Sequence, residues 1–562
     1  MKAIQYSLHT ARKHRREILV EASFPVSSNT SFTIQLPLWR PGRYERQQYE
    51  RLIGKVKAIT PGVKIERTST HTWEVFPANE ETVSLQYTFH ASRLDAGGSF
   101  TDTDLIYINP VNCLLYDPSQ TETPCEMSVE IPDGFDAVCA LPRTGNTWLA
   151  KNIDQLFDSP FLSSTRLQHH HFPVGDCKIH LWFHGAHTLD LQKLEVNFRA
   201  FTEAQIKVFG DMPCQDFHFL FLISKGRSYH GVEHPDSTVI TLGPAAELMR
   251  GSTWNDLLSI SSHELFHLWN VKRIRPADLQ PYDYSKEQYC KLHDITEGFT
   301  TYYGELMLWR SDVWTKQEWL DEMNAILVKH LEAPGKHEMS LTDSSYISWV
   351  NGYHSEGLPQ QKISFYHKGA LVAFLLDLNL REMSNNRVSL DTLMKQLWED
   401  SKQPDYRGYT REDIITHLKA MGFIEAESFY LNYVEGDQDV LIALQAILPT
   451  IGIELSVVPI NSFIKSRLGL KLTANADGTA MVGGIIPGSP AWETPLHVGD
   501  TILTIGGGMP GFDADEYLRQ FSIDHSDAEI SFVSRGLHRV CRIQLNSGFE
   551  DVVYKFRLLE ST

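Results

Sequence analysis

The chain of 562 residues has no run of 18 or more apolar residues, so none of its helices is expected to span a bilayer. Its opening stretch, "MKAIQYSLHTARKHRREILVEASF", lacks the apolar core of a signal peptide, and a cytoplasmic location is the expectation. A CxxC pair is also missing. The seven cysteines, Cys113, Cys125, Cys139, Cys177, Cys214, Cys290 and Cys541, are dispersed and odd in number, so they cannot all be bridged within the chain, and reduced thiols fit best. There is no surplus of positive charge either: 51 Lys and Arg against 70 Asp and Glu leave a formal charge of -19, which repels phosphate backbones and argues against nucleic-acid binding. The basic cluster "RKHRRE" (Arg12 to Glu17) reads as a solvated hairpin rim. A fixed-period repeat is absent, which argues against a solenoid. What remains is 42% hydrophobic and 22% charged, the composition of a folded soluble protein, at a length that calls for several cores.

The expected fold class is multidomain α+β. From residue 1 to about 172, short alternating runs such as "EILVEASF", "SFTIQLPLW" and "TVSLQYTFH", punctuated by Pro, Gly, Asn and Asp, predict an antiparallel β-sandwich-like domain. From 173 to 452, strands such as "KIHLWFHG", "FHFLFLIS" and "STVITLG" give way to long helical periods, predicting a mainly helical domain. From 453 to 562, glycine-rich strand and turn signals such as "GLKLTANADGTAMVGGIIPGSPA" predict a small closing module.

The chemistry is concentrated in "SSHELFHLWNVKRIRP", residues 261 to 276. On a helix, positions four apart share a face, so His263 and His267 can point both imidazoles at one ion with Glu264 beside them. Thr253 followed by Asp256 resembles a helix start, two to three turns upstream. The competing reading is that Leu265, Phe266, Leu268 and Trp269 simply bury the helix and the histidines are core residues; the five-letter pattern alone does not separate the two. A catalytic zinc needs a third protein ligand and an open position. The segment "KEQYCKLHDITEGFTTYYGELMLW" offers Glu287, Asp294, Glu297 and Glu305. Glu297 is preferred because Gly298 after it admits a neighbouring helix, with Asp294 the alternative ligand.

These residues resemble the glycyl aminopeptidases, zinc peptidases of the thermolysin-like gluzincin group. "HELFHLWNVKRIRP" and "TEGFTTYY" are similar to the family's two metal-binding segments, "LPLWRPGRYERQQY" (Leu36 to Tyr49) to its amino-terminal β domain, and the last module to its PDZ domain. The resemblance implies a thermolysin-like catalytic domain, one zinc ion per chain on His263, His267 and Glu297, peptide substrates, and release of small amino-terminal residues, glycine or alanine. Glu264 would be the general base. Tyr366, in "SFYHKGALVAF", resembles the Tyr-x-Lys-Gly segment of the related aminopeptidase N family, whose tyrosine contacts the transition state; a helix-capping aromatic is the alternative, and His354 and His367 are weaker donors for the same role. Glu233, in "YHGVEHPDST", looks like the family's glycine-x-x-glutamate amine anchor, although His230 stands where a second glycine is usual.

Thr301 occupies the place where thermolysin-like enzymes carry an aspartate behind the metal ligands, so Asp294 or a backbone carbonyl is left to orient the imidazoles. Lys272 and Arg273 read as ion-pairing residues before substrate ligands. "LQHHHF" reads as a domain border, since consecutive residues on an extended chain face opposite ways and the three imidazoles cannot all converge. In the last module Leu468, Gly469 and Leu470 would form the loop that receives a peptide's carboxyl end; a structural lid or dimer contact is the other reading. Two further functions compete with the aminopeptidase: a peptide-binding PDZ scaffold with a vestigial metal core, and a zinc endopeptidase.

Overall fold

A computed structural model describes residues 2–26, 30–186, 188–354, 357–358, 361–511 and 514–559. The chain divides into two compact units, one formed by Met1–Glu322, Met339–Leu358 and Ser364–Val440, the other by Met323–Glu338, Pro359–Ile363 and Leu441–Thr562.

The first unit opens with a seven-stranded sheet. Strands β1 (Ile4–His9) and β2 (Glu17–Pro25) form a hairpin, and β3 (Thr82–His90) pairs antiparallel with β2. Ile18, Val20, Ala22 and Phe24 alternate inward along β2, as the period of two dictates. Strand β4 (Cys125–Val129) runs parallel to β1, a departure from a purely antiparallel domain. The long stretch of chain between β1 and β4 supplies the crossover that parallel pairing needs.

A five-stranded sheet follows, made of β5 (Gln168–Val174), β6 (Cys177–His184), β7 (Asp216–Ile223), β8 (Ser228–Glu233) and β9 (Ser237–Gly243), in the order β5-β6-β7-β9-β8. Residues 168–172 of "LQHHHF" lie in β5, the first strand of this sheet. Helix α1 (Leu191–Phe209) covers one face, setting Phe198 against Phe219 and Phe221. The Asp190 carboxylate accepts from the Lys193 N–H at its start, and Gly210, at φ +100°, ends it. Strand β8 is left at the edge of the sheet.

Helix α2 (Gly251–Phe266) carries apolar or small residues on nearly every face and is buried accordingly. It starts two residues before Thr253, because Gly251 adopts φ +59° and turns the chain into the helix. Next comes a π-helical turn, Asp294–Phe299, that runs into α3 (Thr300–Arg310), and later α4 (His367–Ser384). Gly298 is where α4 crosses: a Cβ there would stand 2.6 Å from the Gly369 Cα. Gly304 does the same for α2, since its Cβ would meet the His263 Cα at 3.0 Å.

The second unit holds an antiparallel sheet of β10 (Leu470–Ala474), β11 (Ala480–Ile485), β12 (Thr501–Ile505), β13 (Asp527–Ser534) and β14 (Leu537–Gln544), in sequence order with β10 at one edge. Helix α5 (Ala514–Asp524) sets Leu518 into a core with Leu470, Val482, Ile502 and Phe532. Among the described residues no helix is long and apolar enough to cross a membrane.

Backbone sits directly against backbone at Gly298, so the site cannot absorb a methyl group by a rotamer change. Gly298→Ala is expected to lower the unfolding free energy by about 1–3 kcal/mol. Urea denaturation with an unchanged slope checks it.

Candidate functional site

Helix α2 and the π-helical turn face each other across a small buried space, and the donor atoms meet there. The Nε2 atoms of His263 and His267 stand 3.1 Å apart, and Glu297 Oε2 lies 3.8 Å from the first and 3.4 Å from the second. Donors about 2.1 Å from one tetrahedral ion stand about 3.4 Å from each other, so these three atoms have the spacing of a shared zinc. The donor set, two imidazoles and one carboxylate, also suits that ion.

His267 is held in the tautomer such a site requires: its Nδ1–H donates to the Asn270 carbonyl oxygen at 2.9 Å, which leaves the Nε2 lone pair facing Glu297. Asn270 was not singled out from the sequence, yet it links the two metal segments. Its side-chain amide donates to the carbonyl of Ile295 at 2.8 Å and to the Thr300 hydroxyl at 3.0 Å, fastening the turn that carries Glu297. A backbone carbonyl therefore does the orienting work for His267. Thr301 is not the orienter, its hydroxyl being buried without a hydrogen-bond partner. Asp294 faces away from the imidazoles, within electrostatic reach of Glu435, Tyr409 and Tyr430, and burial pushes its carboxyl up to about 7.

Glu264 and Glu233 complete a second cluster, in which their carboxylates and a nitrogen of His267 all lie within 4.8 Å of one another. The Thr238 hydroxyl donates to Glu264 Oε2 at 3.5 Å, and Gly231 on β8 gives the other oxygen room, since a Cβ there would stand 2.0 Å from Oε1. Burial, reinforced by Glu233 and Glu297 against the pull of His267, drives the Glu264 carboxyl up to about 8. Burial opposes charge on His267, yet Glu297, Glu233 and Glu264 carry its imidazole up to about 9, while burial and His267 hold His263 well below its ordinary value.

Glu233 ends strand β8, at the open edge of the sheet. Lys272, fully buried, lies 3.9 Å from it and 2.7 Å from Asp158, and Asp158 also bonds His234 at 2.7 Å. Lys272 is thus part of a structural ion pair, as is Arg273, which bonds Asp236. The amino-terminal domain reaches the same place. Gly42, at φ +76°, packs on the Glu233 carboxylate so closely that a Cβ would fall 2.5 Å from Oε2, and Tyr44 stacks on His293 within electrostatic reach of Glu297 and Glu233. A Pro-Gly turn at Pro41 and Gly42 is the signal that could have marked this loop; nothing in the sequence pointed to Asp158.

Tyr366 caps the start of α4, with Glu297, Tyr353, Tyr44 and Glu233 within electrostatic reach. His367 is the first residue of that helix, and His354 is exposed, 4.0 Å from Glu45. His230 is faced by Arg40, Asp95, Arg43 and Arg93, and burial brings it down to about 4, so it is neutral. In the second unit, Gly469 takes φ +73° between buried Leu468 and Leu470, and its Cβ would strike Ser489.

With this geometry established, two family models match the chain: peptidase M61 N-terminal domain over residues 5–165 and M61 glycyl aminopeptidase over residues 256–372. The chain belongs to the M61 peptidase family. That makes it an enzyme, a peptidase of the aminopeptidase class. Among solved structures, an aminopeptidase N family protein from Idiomarina loihiensis is 22% identical and superposes with a TM-score of 0.90, covering 99% of this chain and 98% of that one; at that identity the likeness establishes the fold. An M1 zinc metallopeptidase from Deinococcus radiodurans, 15% identical, is similar over 78% of this chain and 96% of its own, with a TM-score of 0.47. No curated protein matches.

Removing the amide of Asn270 strands the buried Ile295 carbonyl and frees the turn that carries Glu297. Asn270→Ala is expected to cost about 1–3 kcal/mol of stability and to weaken zinc binding about 10–100-fold. A chelator competition titration reads the second effect.

Proposed function

We propose that this M61 peptidase releases glycine or alanine from the amino end of peptides, with His263, His267 and Glu297 as metal ligands, Glu264 as general base, Glu233 as the anchor for the substrate ammonium and Tyr366 as a donor to the oxyanion. One zinc ion per chain would supply Lewis-acid polarisation of the scissile carbonyl and acidification of a water. The observation that carries the reading is the second cluster: Glu233 and Glu264 both lie within 4.8 Å of His267, so amine anchor and base serve the same short stretch of substrate.

Each residue then has a defined task. Strand β8 offers a free edge along which an extended peptide can add, ending at Glu233. The ammonium pairs with the Glu233 carboxylate, which fixes the first peptide bond beside Glu264. A Glu264 oxygen takes the proton of the attacking water and delivers it to the departing amine, a transfer of a kind worth about 10² to 10⁴ in rate. The Tyr366 hydroxyl donates to the oxygen on which negative charge develops. Preference for small residues is supported by the crowding around the anchor, where Gly42 lies against the carboxylate and Tyr44 is close by. An endopeptidase would have no use for a carboxylate closing the end of the strand edge.

The closing module fits the same proposal as a PDZ-like domain, supported by edge strand β10, helix α5 and the left-handed turn at Gly469. Leu468, Gly469 and Leu470 would be its carboxylate-binding loop.

Glycyl and alanyl chromogenic amides should be hydrolysed, and a zinc chelator should abolish the turnover. Amino-acetylated copies of the same amides should resist; equal cleavage of the blocked substrates would reject the exopeptidase assignment. Glu264→Gln is expected to keep its zinc, counted by metal analysis, while kcat falls by about 10² to 10⁴.

A further inference from the structure

Alternate residues of three neighbouring strands bring a row of imidazoles onto the outer face of the five-stranded sheet. His171 of β5, His180 of β6 and His218 of β7 stand in register, with His169 and Trp182 paired in the adjacent row. One end of this face is covered by Phe100, Leu105, Tyr107 and Leu162 of the amino-terminal domain, which pack with Leu220 and Leu222. The other end is open, with His169 and His171 exposed.

The row is ordered by hydrogen bonds. Asp216 Oδ1 accepts from His180 Nε2 at 2.8 Å, and His180 Nδ1 faces His169 Nε2 at 3.0 Å. A carboxylate on one ring nitrogen, leaving the other as an acceptor, is the arrangement that metal-ligating histidines commonly show. The third imidazole, of His171, has its centroid 5.2 Å from that of His169 and 5.6 Å from that of His180. Its nitrogens do not lie within 4.8 Å of both facing nitrogens, so the ring must turn to join them. His218 is committed elsewhere, since its Nδ1 accepts from the Trp182 indole at 3.1 Å.

We propose that His169 and His180, with His171 swung in beside them, form a second divalent-cation site on this outer face, selective for the borderline ions zinc, copper(II) and nickel. In the metal-free protein the two facing nitrogens share one proton, and the cation replaces it. Imidazole donors exclude calcium and magnesium, which take oxygen ligands. Asp216 is a positioning residue that keeps His180 Nδ1 unprotonated. The site is separate from the His263–His267–Glu297 centre and does not depend on how that centre works.

Zinc is titrated into the chelator-stripped full chain, and bound ion is counted by equilibrium dialysis in three proteins. Wild type should hold two ions per chain and His169→Ala/His180→Ala one, with glycyl amide hydrolysis of the double variant unchanged. In a His263→Ala background, which disables the first centre, one ion should remain and should vanish when His169 and His180 are also replaced. Asp216→Asn should weaken that remaining ion about 10–100-fold. With copper(II), the magnetic-resonance hyperfine pattern should report at least two nitrogen ligands. One ion in wild type, or the same count in wild type and the double variant, would overturn the proposal. Loss of amide hydrolysis with the second ion intact would instead count against the proposed peptidase function alone.

Discussion

Four carboxylates, those of Asp158, Glu233, Glu264 and Glu297, are buried within one small region, and Lys272 is the ammonium that sits among them. Buried charge is tolerated only when it is balanced. Lys272 accounts for Asp158, with which it makes its closer contact. The remaining three negative charges match a divalent cation together with one substrate ammonium. The upward shifts of Glu264 and His267 express the same constraint, for in the metal-free protein protons supply the missing positive charge. On this view the site is built around a deficit of positive charge, one that the proposed metal and peptide amine would fill.

Holding that many carboxylates together requires a rigid frame, and the frame is made of close backbone contacts. Gly298 against Gly369 and Gly304 against His263 allow α4 and α2 to approach the segment that carries Glu297 without any side chain between them. Asn270 ties the end of α2 to the π-helical turn. The extra residue in a π turn rotates the side chains that follow, which is how Asp294 comes to face Tyr409 and Tyr430 while Glu297, three positions on, faces the imidazoles.

The strongly periodic parts of this arrangement were legible in the sequence. The helical period, the two histidines one turn apart and the glycine after Glu297 are visible in spacing and residue type, but only the resemblance of the longer segments separates metal ligands from core histidines. The long-range parts were not legible. Asp158 lies far along the chain from Lys272, and no local pattern pairs them. Gly42 reads as one more turn glycine until the fold sets it on Glu233. The parallel pairing of β1 with β4 depends on a crossover that alternation cannot reveal. The run of histidines shows the limit best: within one strand the alternation of faces rightly forbids convergence of neighbours, but the imidazoles of β6 and β7 that complete the row come from elsewhere in the chain.

The amino-terminal domain is therefore part of the candidate site, not an appendage to it. The loop from Arg40 to Tyr44 packs at the end of β8, with Gly42 on the Glu233 carboxylate and Arg40 and Arg43 facing His230. The same loop is anchored within its own domain, where the Arg40 guanidinium fits against Gly97 so closely that a Cβ there would collide with it. A His230 held neutral beside those guanidiniums adds no charge of its own there. His230 and Glu233 stand on opposite faces of β8, so the same loop meets both faces at the end of this strand.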